Sequence, residues 1–150
     1  MALTNRNNGG FGNISVDGVG GGLRVVPSSI QPKKFAAVAG APTLPGLTPV
    51  AYNTSTNLWV LWDDGGSNGT DIIKGFVGLE GVALDASNEV LGNVILGGRI
   101  HADDIPDDDD AGAPITFGFT DSILKAELKG VGGSDVRSLG FTVEGVANSH

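Results

Sequence analysis

A mostly β fold of the α+β class is what the sequence predicts: a small antiparallel sheet or partial barrel, one short helix and an extended N-terminal arm. Three observations predict it. Twenty-five glycines and seven prolines among 150 residues favour turns and short strands over long helices. Short β-prone runs recur at close, even spacing between Val50 and Ala102, the pattern of a small sheet. One segment, residues 121–130, carries helix signals at both ends. A hydrophobic content of 40% supports one modest core, so one domain with appendages is expected.

The arm comes first. Residues 1–34 form a flexible, Gly-rich segment, with seven glycines between Gly9 and Gly22 and scattered apolar residues. Such a segment buries too little surface to offset its ordering entropy. Within it, Leu23, Arg24, Val25 and Val26 make a β-prone island suited to strand addition on a partner's edge strand. A plain flexible tail is the alternative. The body, residues 35–150, opens with the small apolar run Phe35–Ala41, which ends at Pro42, Pro45 and Pro49. Three prolines so close together predict a stiff, extended connector.

Val50–Tyr52 and Leu58–Trp62 flank the polar loop Asn53–Asn57 and predict a β-hairpin. Asp63–Thr70 is a turn cluster. Ile72–Val77 and Gly81–Leu84 read as short strands, and Asp85–Glu89 as a turn into Val90–Leu96. Gly97–Gly98 is a two-residue turn signal before Arg99–Ala102. Asp103 to Asp110 holds six carboxylates in eight residues and predicts a solvated loop. The helix over 121–130 has Thr120 or Asp121 as N-cap, Leu124 and Leu128 on one face, and Gly130 as its stop. Leu139–Val146 alternates and predicts a closing strand.

Charge is uneven. Residues 1–34 set Arg6, Arg24, Lys33 and Lys34 against Asp17, a net +3, whereas residues 35–150 hold five basic and sixteen acidic side chains, a net −11. An acidic body lacks the clustered Lys and Arg that phosphate binding requires, which argues against nucleic acid as a partner. A basic arm on an acidic body suits orientation on a larger protein surface. With no cysteine, disulfides and thiolate metal sites are excluded. No apolar run reaches membrane-spanning length, and the N-terminus lacks a signal peptide's apolar core, so synthesis in the cytoplasm and no membrane partner are expected.

Candidate chemistry is sparse. Four consecutive aspartates, Asp107–Asp110, point in different directions and do not alternate around a turn as calcium ligands do. Asp63 and Asp64 are adjacent on a Gly-rich turn rather than opposed across a cleft. His101 beside Asp103 and Asp104 resembles a fragment of an acid–base or metal site. The other histidine, His150, is the last residue, and no nucleophilic triad or zinc motif can be assembled. The glycines 18–22 lack the Lys-Ser/Thr of a phosphate loop. No cofactor, metal or catalytic set is therefore expected. Trp59 and Trp62 fall on opposite faces of a regular strand; one fills the core, and the other is expected at a subunit contact.

The run Leu47-Thr-Pro-Val-Ala-Tyr-Asn-Thr-Ser-Thr-Asn-Leu-Trp-Val-Leu-Trp-Asp-Asp-Gly65 resembles the head decoration (cement) proteins of tailed bacteriophages, of the lambda type. In that family a Thr-Pro strand passes through an Asp/Asn-Thr-Ser turn into an aromatic strand ending in Trp-Asp-Gly. Gly69–Val77 and Gly98-Arg-Ile-His-Ala-Asp-Asp-Ile-Pro106 are similar to the family's following segments. The acidic run Asp107–Asp110 and the long Gly-rich arm depart from the pattern. What the resemblance implies is a non-enzymatic structural protein. Made in the host cytoplasm, it would form homotrimers on the outer capsid surface of the virion, at three-fold positions. Its partner would be the phage major capsid protein, with the arm adding a strand to it and the trimer stabilising the expanded shell. In that frame Leu23, Arg24, Val25 and Val26 bind the capsid, Pro42, Pro45 and Pro49 set the connector's path, and Trp59 and Trp62 serve the core or trimer contact. The alternatives are a virion surface module for host cells or glycans, using an exposed Trp, and a small acid-using hydrolase using Asp63, Asp64, Asp103 or Asp104.

Overall fold

The computed structural model describes residues 24–106, 119–130 and 133–146. It is mostly β, as the sequence predicts. The strands are β1 (Val26–Phe35), β2 (Thr43–Leu44), β3 (Pro49–Asn53), β4 (Leu58–Leu61), β5 (Gly75–Val77), β6 (Val82–Ala83), β7 (Val90–His101) and β8 (Phe141–Glu144), with one helix, α1 (Asp121–Leu128), between β7 and β8. Six strands form one sheet in the order β1-β4-β3-β5-β7-β8. A further β1–β7 pairing curls the first five into a small barrel, and β2 and β6 make a separate two-stranded ribbon.

The hairpin forms where its local chemistry dictates. Val50 lies opposite Leu61 and Asn53 opposite Leu58. The Asn53 side chain accepts the backbone N–H groups of Ser55 (2.9 Å) and Thr56 (3.3 Å), closing the turn. Pro49 heads β3, where its missing N–H matters least, and its carbonyl accepts the Trp62 N–H at 3.0 Å.

Alternation along the strands sends neighbouring side chains to two apolar clusters, one on each face. Val50, Val77 and Val94 join Phe35, Leu44, Val82 and Leu84 on one side. Ala51, Phe76 and Ile95 join Trp62, Ile100, Leu124, Leu128, Phe141 and Val143 on the other. Both faces are thus covered, which explains the nearly continuous apolar runs of β5 and β7. Helix α1 covers the second face. Thr120 caps it by accepting the Ile123 N–H, and Leu124 and Leu128 are buried, as expected. Its buried Glu127 accepts the Ser134 N–H at 2.8 Å, and the Ser134 hydroxyl accepts the Ile73 N–H at 2.7 Å. This chain of bonds ties the helix to the strand layer. The alternating burial of β8 also matches the sequence.

Four expectations need correction. The boundary between arm and body does not fall at 34/35: β1 runs antiparallel to β7 from Val26 opposite Arg99 to Phe35 opposite Val90. Residues 24–34 belong to the barrel, because β7 supplies a long ladder that satisfies their backbone groups. Pro27 sits at a register shift, and β1's other side is bridged at Phe35–Trp59. Proline is tolerated in such bulged and edge positions. Second, Gly97–Gly98 is not a turn. β7 continues through it, paired with β1 on one side and β8 on the other. Gly98 has φ +127° and lies against the Val26 carbonyl, so a side chain has no room there. Third, the sheet is mixed, since the β1–β4 and β7–β8 pairings are parallel. Finally, the proline connector is not straight. Thr43–Leu44 pairs with β6, and the chain turns over Pro45–Thr48, where the Thr48 hydroxyl donates to the Pro45 carbonyl at 2.7 Å and Leu47 has φ 68°.

Candidate interaction surfaces

Two sites concentrate the residues that the sequence singles out. The first is the root of the N-terminal segment. β7 ends at His101, and the 3₁₀ turn Ala102–Asp104 follows at once. The first described residue, Arg24, reaches this corner from the other end of the chain. Its Nε donates to Asp104 Oδ2 at 3.1 Å and its Nη2 to His101 Nδ1 at 3.0 Å. The same Nδ1 accepts the Asp103 backbone N–H at 3.2 Å. Lys125 of α1 donates to Asp103 Oδ1 at 3.0 Å and pairs with Asp121 one helical turn earlier at 3.1 Å. The Lys125 ammonium holds the Asp103 carboxyl below its ordinary range. Asp103, with Asp121 second, in turn raises the lysine.

This geometry corrects the reading of the β-prone island. Val25 is 2% exposed within the core and Arg24 is engaged as described, so neither side chain is free for a partner. Val26 is paired with Arg99 on the β7 side, while the other side of β1 is bridged at Phe35 and not at Val26. Leu23 lies outside the described residues. The acidic run Asp107–Asp110 lies outside them as well.

The second site is the seam where β1 meets β4. These strands share a single bridge, Phe35 opposite Trp59, supported by the Ala36 N–H donating to the Trp59 carbonyl at 3.1 Å. Beside it opens an apolar pocket of roughly 230 Å³, lined by Phe35, Val38, Pro42, Leu44, Trp59 and Leu84 among others. Trp59 is half-buried there, edge-on to Tyr52 at 5.9 Å, with Lys33 Nζ 5.7 Å from its ring centre. The two tryptophans do face opposite ways. Trp62 is 1% exposed in the other cluster, its ring tilted 53° against Phe119 with centroids 4.8 Å apart, and its indole N–H donates to the Asp71 carbonyl at 3.0 Å. Of the three prolines, Pro42 reaches the pocket, Pro49 is buried in β3, and Pro45 is exposed at the turn.

Asp63 accepts the Gly65 N–H at 3.2 Å and so serves its turn, and Asp64 is exposed beside it. Among the described residues no group of three or more acidic, His or Cys side chains is placed to hold a metal ion, and no helix is long and apolar enough to cross a membrane. Sequence reasoning missed the ion-pair network. The sequence shows the His101, Asp103 and Asp104 fragment but not its partner Arg24, and Lys125 carries only the signal of its four-residue spacing from Asp121. Comparison with family models, with curated proteins and with solved structures finds no match for this chain.

Proposed function

We propose that this chain is a capsid decoration protein. It binds the outer surface of an expanded phage head as a homotrimer at three-fold positions and stabilises the shell through contacts with the major capsid protein. The observation that carries the reading is the stretch Leu47–Pro106, on which the resemblance rests: it forms one uninterrupted succession of strands, β3 to β7. Together with β1, strands β3, β4, β5 and β7 of this stretch make up the barrel, and residues 1–23 precede it in the chain. Because the Arg24 and Val25 side chains are committed to the barrel, the capsid-binding role is assigned to the residues before them, 1–23. One such segment per subunit gives three per trimer, and the first contact raises the effective concentration for the second and third. Three-fold closure requires heterologous contacts between subunits; the Trp59 seam, with its half-buried indole, is the surface assigned to them.

The test is co-sedimentation of the purified chain with expanded, undecorated phage shells. Saturable binding, with three chains per three-fold position and added resistance of the shell to heat, is expected. Absence of binding would overturn the reading. Cell or glycan binding abolished by Trp59→Ala, in a protein that ignores shells, would instead identify a surface-recognition module.

A further inference from the structure

The corner that fastens the N-terminal segment is built around a histidine used as an acceptor. Arginine and a backbone amide only donate hydrogen bonds. Arg24 Nη2 and the Asp103 N–H both converge on His101 Nδ1, at 3.0 and 3.2 Å, so Nδ1 must carry a lone pair and the ring proton sits on Nε2. The neutral imidazole therefore joins three parts of the fold: Arg24 (two residues before β1), the end of β7, and the first turn after it. Its side chain is 22% exposed, within reach of solvent protons.

We propose that His101 is a proton-operated latch on the root of the N-terminal segment. When neutral it holds Arg24 and the 3₁₀ turn; when a proton adds to Nδ1, both hydrogen bonds are lost. The protonated ring also places a positive charge against the Arg24 guanidinium. The charged groups around it decide where the ring turns. Asp103 Oδ2, 3.8 Å from Nδ1, becomes the acceptor for the new N–H. Asp104 keeps its own bond to Arg24 Nε. Lys125, with Asp121 behind it, competes for Asp103 from the α1 side. On the β8 side Glu144 is in register with His101, and Gly145 lies so near the ring that a side chain there would collide with it. A proton thus exchanges an Arg24 contact for an Asp103 contact. Arg24 is left with a single anchor, and the chain that enters β1 is loosened while the rest of the barrel is untouched.

Hydrogen exchange of the full chain, read by mass spectrometry at about pH 8 and about pH 5.5, tests the latch. The β3–β4 hairpin amides serve as the internal reference for the intrinsic effect of pH. Relative to them, protection of residues 24–30 is expected to fall about tenfold on acidification, the loss of one charge-assisted hydrogen bond. In His101→Gln, whose amide does not titrate, that relative change is expected to vanish. Parallel behaviour of the two regions in the native chain, or an unaltered pH response in His101→Gln, would overturn the proposal. If the variant fails to fold, the imidazole nitrogen shifts of the native protein decide instead. The neutral ring must show the Nε2–H tautomer, and the Nδ1–H tautomer would overturn the latch.

Discussion

The β3–β4 hairpin and the β1–β7 ribbon lie in the same sheet but owe their structure to different things. In the hairpin every ladder partner lies within thirteen residues, Pro49 to Trp62, and the Asn53 side chain closes the turn by itself. In the ribbon each β1 residue finds its partner more than fifty residues later. It carries two prolines, and its other side has one bridge. The hairpin needs little beyond itself, whereas β1 exists only once β7 is in place. Contacts that close long loops are made late and depend on the finished core. The N-terminal segment is therefore joined to the part of the barrel that depends most on everything else.

Truncation breaks this comparison most severely. Removing residues 1–34 takes away nearly all of β1 and the Val25 core contact; loss of cooperative thermal unfolding is expected, read by circular dichroism. Removing residues 1–23 spares every described element and is expected to leave Tm within a few degrees of the full chain. Next in size is Trp62→Ala, which empties a fully buried site and deletes the bond to Asp71. A loss of about 3–5 kcal/mol in denaturant unfolding is expected. Gly98→Val strikes the β1 side of the ribbon first. With φ +127° and the β1 backbone against it, it should cost about 1–3 kcal/mol, with exchange protection lost first in β1 and kept in the hairpin. Trp59→Ala, at the seam, should cost about 1–2 kcal/mol, because its ring is only half-buried.

The smallest effect is electrostatic and exposed. Folding lowers the Asp103 carboxyl, chiefly through Lys125. Its contribution is complete above the ordinary carboxylate range and disappears as pH falls through the lowered folded value. Lys125 is raised, so its share is complete below the ordinary lysine value and is lost as pH rises through the raised one. Asp103→Asn should therefore be slightly less stable than the native chain at neutral pH, and the gap should close in strong acid. A constant gap across that range would contradict the pairing.

What the sequence reveals follows the same division. The hairpin, the α1 cap at Thr120 and the alternating β8 are written in residues near one another, and they are found where local chemistry puts them. Strand β1 is not legible, because Val-Pro-Ser-Ser-Ile-Gln-Pro-Lys-Lys-Phe neither alternates nor avoids proline, and its partner is distant. At Gly97–Gly98 a genuine local turn signal is overridden by ladders on both sides of β7. The interaction surfaces divide likewise. Opposite orientation of Trp59 and Trp62 follows from strand geometry, whereas Arg24 and Asp104 are eighty residues apart, and nothing near either one announces the other.

The most direct measurement is a side-by-side sedimentation assay on expanded, undecorated phage shells, with the full chain and a chain lacking residues 1–23, each first shown to melt cooperatively. The expected result is saturable binding by the full chain and none by the folded, shortened one. Equal binding by both would contradict a capsid grip located before Arg24.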